Sequence, residues 1–417
     1  MKFKVFSFTA IFLLCSALNV FAQDTIKIMS WNLLGYKSSP HPREQYYRKV
    51  VKAINPDIIV VNEIDGQTAV TGFLNNCANY YSPGLYTAGQ YNNGFDSDNA
   101  IYFKASKLQF ILNYVISTPQ GRDINMFLMK HVGQNVLFNL FGCHLKAGNT
   151  ASDYTRRANE VGALRSFTST FPAGTNSVIV GDFNIYASTD SAYAKLTQVI
   201  PGSEGHFIDA VELNGTWNNF EYRGFHTQST RTRQLADSGS TSGLDDRFDL
   251  VLFSKSVNTG SNAMTYIGGS YKPYGNDGNH YNDSINKRPN TAVPDSIADA
   301  LAYSSDHLPT VSLFKFFNKV SVSQLGTNVP GEFALMQNYP NPFNPETKIK
   351  FNMKNSGYVR LTILNSLGQS ITDLVNEKLS AGEYETNWNA KDFSSGVYFY
   401  RLETENFTQT KQMFLIK

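Results

Sequence analysis

Cysteine, charge and long apolar runs are all scarce in this 417-residue chain. Of three cysteines, Cys15 falls in an N-terminal apolar run, which leaves Cys77 and Cys143. Two cysteines make no disulfide framework. Cys143 also lies in an apolar stretch, so both are expected as free, buried thiols, with their pairing the alternative. No Cys/His spacing suggests zinc. Charged residues are only 17% of the chain, and their signs balance. Once Lys2 and Lys4 leave with the leader described below, the basic residues match the 34 acidic ones. A protein that grips long duplex by bulk charge carries a basic surplus, so nucleic acid is not favoured over other phosphates on this ground. Local basic patches remain candidates, at Arg156-Arg157 and at Arg231 with Arg233. The apolar run Val5–Leu18 is shorter than the roughly 20 residues a membrane-spanning helix needs.

Gly, Asn, Ser and Tyr are plentiful, and aromatics reach 13%, a composition suited to a secreted, loop-rich β protein. Lys2 and Lys4, the run Val5–Leu18 and then Val20-Phe21-Ala22 read as a secretory signal over 1–22, cleaved after Ala22. A membrane anchor is the alternative. Lipidation at Cys15 is disfavoured by the bulky Leu14.

Beyond Ala22 the pattern changes twice. Continuous apolar strands are expected at Ile26–Trp31, Asp57–Asn62, Val136–Cys143, Ser177–Val180 and Phe248–Phe253, and amphipathic helices at Pro42–Ile54 and Thr155–Phe167. Apolar strands flanked by helices imply sheets buried between layers, a mixed α and β architecture. A Gly-, Asn- and Tyr-rich run over Gly268–Asp295 reads as a long loop bordering the candidate site, with disorder the alternative. Residues 319–332 read as a linker. From 333 to 417, alternation at Val359, Leu361, Ile363 and at Val397, Phe399, Arg401, with Gly/Asn turns, gives a small β-sandwich.

Six short polar segments carry the chemistry. They are Ser30-Trp31-Asn32, Asn62-Glu63, His144-Leu145, Gly181-Asp182-Phe183-Asn184, Asp246-Arg247-Phe248-Asp249 and Ser305-Asp306-His307. Each stands on or beside an apolar strand, so the six can converge on one rim of a fold. Carboxylates with two histidines on such a rim suit a divalent-metal hydrolytic site. A carboxylate at the end of an apolar strand, as at Glu63, is costly without a cation; a surface carboxylate or an ion pair is the plainer alternative. Asp182 and Asn184 are alternate residues, which in extended chain point the same way. Helix capping by Asp182 is the plainer reading.

In order and wording these segments resemble the endonuclease/exonuclease/phosphatase superfamily, over about Asp24–Lys315. The resemblance implies an α/β fold, a four-layer α/β/β/α sandwich of two sheets with helices outside. It implies Glu63 as primary metal ligand, Asn32 as a neutral oxygen donor and Asp306 as a second ligand candidate, for Mg²⁺ or else Ca²⁺ or Mn²⁺. Asp182 would orient or deprotonate water, and Asn184 would bind phosphate. Asp249 would hold His307 and raise its pKa. His144 would bind phosphate or protonate the leaving group, with Asp98 the candidate for its carboxylate partner. Arg122 and Lys146 are further candidates for phosphate contact, with solvated surface charge the alternative. Leu34 replaces an acid that abasic-site enzymes carry there, which argues for one metal ion. His41, His131, His206, His226 and His280 are expected to be structural or surface residues. The 333–417 module, with Asn338-Tyr339-Pro340-Asn341-Pro342 and the closing Lys411–Lys417, resembles the C-terminal sorting domain of the type IX secretion system. That resemblance implies periplasmic transit, export by that machinery, and removal or surface attachment of the domain.

Three readings follow. The first is a secreted metal-dependent phosphodiesterase, a nuclease acting on extracellular DNA or RNA, in the catalytic region 23–318. The second is a sphingomyelinase-like phospholipid-headgroup phosphodiesterase or a phosphomonoesterase, with Tyr271, Tyr274 and Tyr281 as aromatic tips touching membrane lipid. The third is a surface adhesin that keeps the fold without the chemistry.

Overall fold

The computed structural model describes residues 23–94, 98–119, 121–317, 322–326, 329–391 and 393–417. The leader expected over 1–22 and part of the linker expected over 319–332 lie outside them. Two compact units divide the chain, Gln23–Asn318 and Lys319–Lys417.

The first unit contains, in chain order, strands β1 (Asp24–Tyr36), β2 (Ile58–Ile64), β3 (Thr87–Ala88), β4 (Asn99–Phe103), β5 (Leu108–Ile116), β6 (Ile124–His131), β7 (Val136–His144), β8 (Ser177–Asp182), β9 (Phe207–Asp209), β10 (Asp249–Ser254), β11 (Met264–Tyr266), β12 (Lys272–Pro273) and β13 (Thr310–Phe316). Its helices are α1 (Glu44–Ile54), α2 (Gln67–Phe73), α3 (Ala151–Thr168), α4 (Ser191–Thr197), α5 (Lys255–Thr259) and α6 (Asp295–Ser304). One sheet runs β11-β13-β1-β2-β4-β3, with β12 also on β13; the other runs β5-β6-β7-β8-β10-β9. The pairs β1/β2 and β7/β8 are parallel.

Strand pleat sorts the side chains into three apolar layers, because neighbours along a strand face opposite ways. Ile59 and Val61 of β2 pack outward against Tyr47 and Val50 of α1 and Leu301 of α6. Ile58 and Val60 face inward, sharing a layer with Phe138 and Leu140 of β7, Val178 and Val180 of β8 and Val251 of β10. Phe141, Ile179 and Leu250 face the other way, onto Val161 and Leu164 of α3 and Leu196 of α4. Helix, sheet, sheet, helix is thus the order of layers, the four-layer sandwich the resemblance implies. Cys77 lies in the first apolar layer and Cys143 in the third, both buried and free.

Element ends differ from the sequence expectation for local reasons. α1 begins at Glu44 rather than Pro42 and stops where Asn55 turns left-handed before Pro56. α3 begins a turn early, at Ala151, because Thr150 and Asp153 form a reciprocal capping box that apolar periodicity does not reveal. The Gly268–Asp295 segment is packed: Tyr271 is 3% exposed, and Tyr274 and Tyr281 are partly buried. Tyr271 is therefore no exposed tip, and Tyr274 and Tyr281 are only partly exposed. Tyr271 points into the inter-sheet layer and donates its hydroxyl to the Asp249 carbonyl (2.6 Å).

The second unit has one four-stranded sheet of Val322–Gly326, Gly382–Asn389, Glu346–Met353 and Ala334–Leu335. Its other four-stranded sheet pairs Ser370–Leu379, Gly357–Leu364, Gly396–Thr404 and Phe407–Leu415. Ile349, Phe351, Val359, Leu361, Tyr400 and Leu402 fill the space between them.

Candidate active site

The inter-sheet layer is apolar for most of its length and turns polar at one end. Along β1 the inward positions read Ile26, Ile28, Ser30, Asn32; along β2, Ile58, Val60, Asn62; along β8, Val178, Val180, Asp182. Strand register aligns these ends: Asn32 lies beside Asn62, which lies beside Asn99, and His144 lies beside Asp182, which lies beside Asp249. Pairing β1 with β2 and β7 with β8 in parallel brings the C-terminal ends of all four strands to this edge.

Asn32 is the hub. Its Nδ2 donates to Glu63 Oε1 and to Asp182 Oδ2, each at 3.0 Å, while its Oδ1 accepts from the Leu34 amide at 2.9 Å. One neutral amide thus draws together two carboxylates from different sheets. Backbone strain gathers here as well, with Leu34, Glu63 and Asn184 all left-handed at φ 52°, 56° and 49°. Such conformations are costly for Leu and Glu and persist where surrounding contacts impose them. Gly181, before Asp182, has φ 139°, and an added Cβ would stand 1.9 Å from the Cys143 carbonyl oxygen, so the close approach of β7 and β8 requires glycine.

The two histidines are set in opposite ways. His307 Nδ1 donates to Asp249 Oδ2 at 2.8 Å, and its Nε2 lies 3.6 Å from Asp182 Oδ2. Burial alone would lower its pKa, but the charges of Asp249 and Asp182 overcome this and raise it well above the usual histidine value. His144 Nε2 accepts from Arg122 Nη1 at 2.9 Å and lies 3.5 Å from Asp182 Oδ2 and 3.9 Å from Glu63 Oε1. Burial, the Arg122 guanidinium and His307 hold it well below the usual value. The cleft therefore pairs a cationic imidazole with a neutral one, a division of labour typical of acid–base sites. Burial, with Asp249 and Glu63 nearby, raises the Asp182 carboxyl above the usual carboxylate range against the pull of His307 and Asn32.

Asn32, Glu63, Arg122, His144, Asp182, Asp249 and His307 thus form one connected cluster. Asn184 joins it, though not as alternate residues of a strand. β8 ends at Asp182, and the left-handed Asn184 folds back so that its N–H donates to Asp182 Oδ1 (3.0 Å) and its Nδ2 to the Leu145 carbonyl (3.0 Å). Asp182 caps no helix. Asp306 turns to the Ser240 amide (2.8 Å), and its other oxygen is buried without a hydrogen-bond partner. Asp98 is not the partner of His144; it accepts from Tyr91 and from the Gly94 amide. Lys146 turns toward Asp153 (3.3 Å). Both candidate basic patches lose an arginine to the interior: Arg157 is fully buried on Asp190, and Arg231 binds Asp237 and the Ala302 carbonyl. Among the described residues no three His, Cys, Asp or Glu side chains gather into a ready-made metal cage.

Several contacts carry no signal in the sequence. Trp31 Nε1 donates to the His307 carbonyl (2.9 Å) and Ser305 Oγ to the Asn32 carbonyl (2.6 Å), so the Asn32 and His307 segments are cross-tied. Arg43 ties Leu34 to Ser304 through their carbonyls. Gln228 reaches His307, and Thr227 Oγ1 accepts from the Asp249 amide (3.2 Å).

Comparison with known proteins gives this fold and cleft their class. Residues 29–307 match the endonuclease/exonuclease/phosphatase family, and residues 337–417 match the secretion system C-terminal sorting domain. The chain belongs to the endonuclease/exonuclease/phosphatase family of phosphoric ester hydrolases, and its type IX sorting domain indicates secretion or attachment at the outer-membrane surface. Similar solved structures include TDP2 of D. rerio complexed with a single-strand DNA product, at 15% identity and TM-score 0.46, covering 70% of this chain and 98% of that one. Another is an endonuclease/exonuclease/phosphatase family protein of Bacteroides thetaiotaomicron, at 13% and 0.43, covering 71% and 96%. The human Nocturnin catalytic domain with bound sulfate matches at 16% and 0.43, covering 70% and 97%. No curated protein matches the chain.

Proposed function

We propose that this chain is a secreted, divalent-metal-dependent phosphodiesterase, a nuclease acting on extracellular nucleic acid. One observation carries the reading: Asp182 stands between Asn32–Glu63 on one side and the Asp249–His307 pair on the other, with His144 and Arg122 beside it.

The donor set suits a hard cation. Glu63 offers oxygen, Asn32 would offer its own with the amide turned over from the Leu34 N–H, the carboxyl groups in the cleft outnumber its cations, and no thiol takes part. Glu63 and Asn32 would hold the ion, with Asp306 as a second candidate. When bound, such an ion neutralises a nonbridging phosphate oxygen. Asp182, whose burial makes its carboxylate a stronger base than usual, takes the proton of an attacking water in its ionised form, which the charge of His307 sustains. His307, kept cationic by Asp249, hydrogen-bonds the phosphate as negative charge builds there and gives its Nε2 proton to the departing alkoxide as the ester P–O bond breaks. Arg122 and Asn184 bind the phosphate from the β7–β8 side, with the neutral His144 as their companion. The absence of a basic surplus fits short contacts around one phosphodiester better than a long duplex tract. A leader would take the chain to the periplasm, and the sorting domain would pass it to the type IX machinery.

The test is cleavage of supercoiled plasmid by the chain lacking the leader, with Mg²⁺ and Ca²⁺, with chelator, and with Glu63→Gln. Nicking that is lost in chelator and in the variant is the expected result. A folded protein that leaves plasmid intact but hydrolyses another phosphoric ester would sink the nuclease assignment, and sphingomyelin is the next substrate to try.

A further inference from the structure

The nitrogen of His307 that Asp249 does not hold is itself occupied. Gln228 Nε2 stands 2.8 Å from His307 Nε2, inside the 3.6 Å that separates this nitrogen from Asp182. The backbone behind this contact is fixed. The Gln228 N–H donates to the Asp246 carbonyl (3.1 Å), and its own carbonyl accepts from the Asp245 and Asp246 amides (2.8 and 3.0 Å). The residues around it are laced to the His307 segment, since the Leu308 amide donates to the Thr227 carbonyl (2.8 Å) and the Thr230 amide to the Asp306 carbonyl (3.1 Å). The partly buried Gln228 side chain therefore projects from a rigid base onto the edge of the imidazole.

An imidazole tethered at one nitrogen can still swing about that bond. Tethered at both, its plane is set. We propose that Gln228 is a positioning residue for His307: in the resting cleft it sets the ring plane from the Nε2 side as Asp249 does from Nδ1, and it yields that nitrogen when the phosphate arrives. This rests on the phosphodiesterase reading above. The residue type suits the task. A glutamine amide presents an N–H to a bare ring nitrogen or, turned over, its oxygen to one that carries a proton. It does so without adding charge to a cleft that already holds Glu63, Asp182 and Asp249. An arginine or lysine would compete for Asp182, and an apolar side chain would leave Nε2 without its partner.

The test uses Gln228→Leu in the protein lacking only the leader, with plasmid and bis(p-nitrophenyl) phosphate as substrates and ¹⁵N-histidine labelling for NMR. Expected is a fall in kcat of about 10- to 100-fold, since small displacements of a reacting group cost this much. KM should change by less than about two-fold. The His307 Nε2 resonance should move while that of His144 stays, and Gln228→Met, which keeps the length without a hydrogen-bonding group, should move it as Gln228→Leu does. Unchanged kcat, or a lower KM at unchanged kcat, overturns the proposal, the latter by showing that Gln228 only competes with substrate. An unmoved His307 resonance also overturns it. If the unsubstituted protein cleaves no phosphoric ester, the phosphodiesterase reading falls, and the NMR comparison still decides whether Gln228 holds the ring.

Discussion

Both units of this protein are two-sheet sandwiches, yet they treat the space between their sheets differently. In the C-terminal unit the inward positions stay apolar or nearly so to the strand ends, as in Ile349, Phe351, Met353 and Val359, Leu361, Ile363. Among the described residues of that unit no ionisable Asp, Glu, His, Lys or Arg is buried; the buried polar ones are Asn338, Thr347, Thr362 and Thr386. In the catalytic unit the same alternation carries on into Asn32, Asn62, His144, Asp182 and Asp249, all buried. An uninterrupted apolar seam stabilises by burial alone. A seam that ends in carboxylates and imidazoles forgoes burial there and gains chemistry.

Four substitutions test this contrast. The largest effect is expected at the polar end: His307→Ala should lower kcat per folded molecule by about 10²- to 10⁴-fold, the range for loss of an acid–base group, and it also costs stability because Asp249 is left buried without its partner. Phe253→Ala, at the apolar end of β10, should cost about 3–5 kcal/mol of stability while specific activity per folded molecule is kept. Denaturant melts and rate assays on both variants decide it, and equal losses of activity would erase the distinction between the ends. Next comes pH. A histidine whose pKa is raised in the folded protein stays protonated through neutrality and loses its proton at higher pH, so activity that needs the imidazolium falls on the alkaline side. Asp249→Asn removes the leading contribution that raises it, and the alkaline limb of the rate profile should move to lower pH. A limb that stays in place would show that Asp249 does not tune His307. Smallest is Thr150→Ala, which removes the α3 cap and touches no residue of the cleft cluster; it should cost about 1 kcal/mol in a thermal or urea melt, with kcat unaltered.

The polar strand ends could be read from sequence because a carboxylate or histidine interrupts an apolar run, and that interruption is a local signal. Contacts between segments far apart in sequence had no such signal. Trp31 with His307 and Ser305 with Asn32 are separated by 276 and 273 residues. Gln228 lies in a loop of Thr, Ser and Arg without periodicity, so nothing marks it until the fold brings it to His307. The misread positions have equally local causes. Strand alternation misplaces Asn184, which lies two residues beyond where the strand stops. Tyr271, Tyr274 and Tyr281 were taken for exposed tips because a run rich in Gly and Asn has no pattern that tells a packed loop from an open one. Arg157 and Arg231 looked like surface charge because their partners, Asp190 and the Ala302 carbonyl, lie elsewhere in the chain.

The placing of the two thiols bears on how the chain is made. Cys77 and Cys143 lie on opposite outer faces of the stacked sheets, which pack about 10 Å apart, beyond the span of a disulfide. Burial also raises both thiol pKa values, so neither presents a thiolate to an oxidant. The catalytic unit thus completes its fold with no disulfide between Cys77 and Cys143 to form or reshuffle.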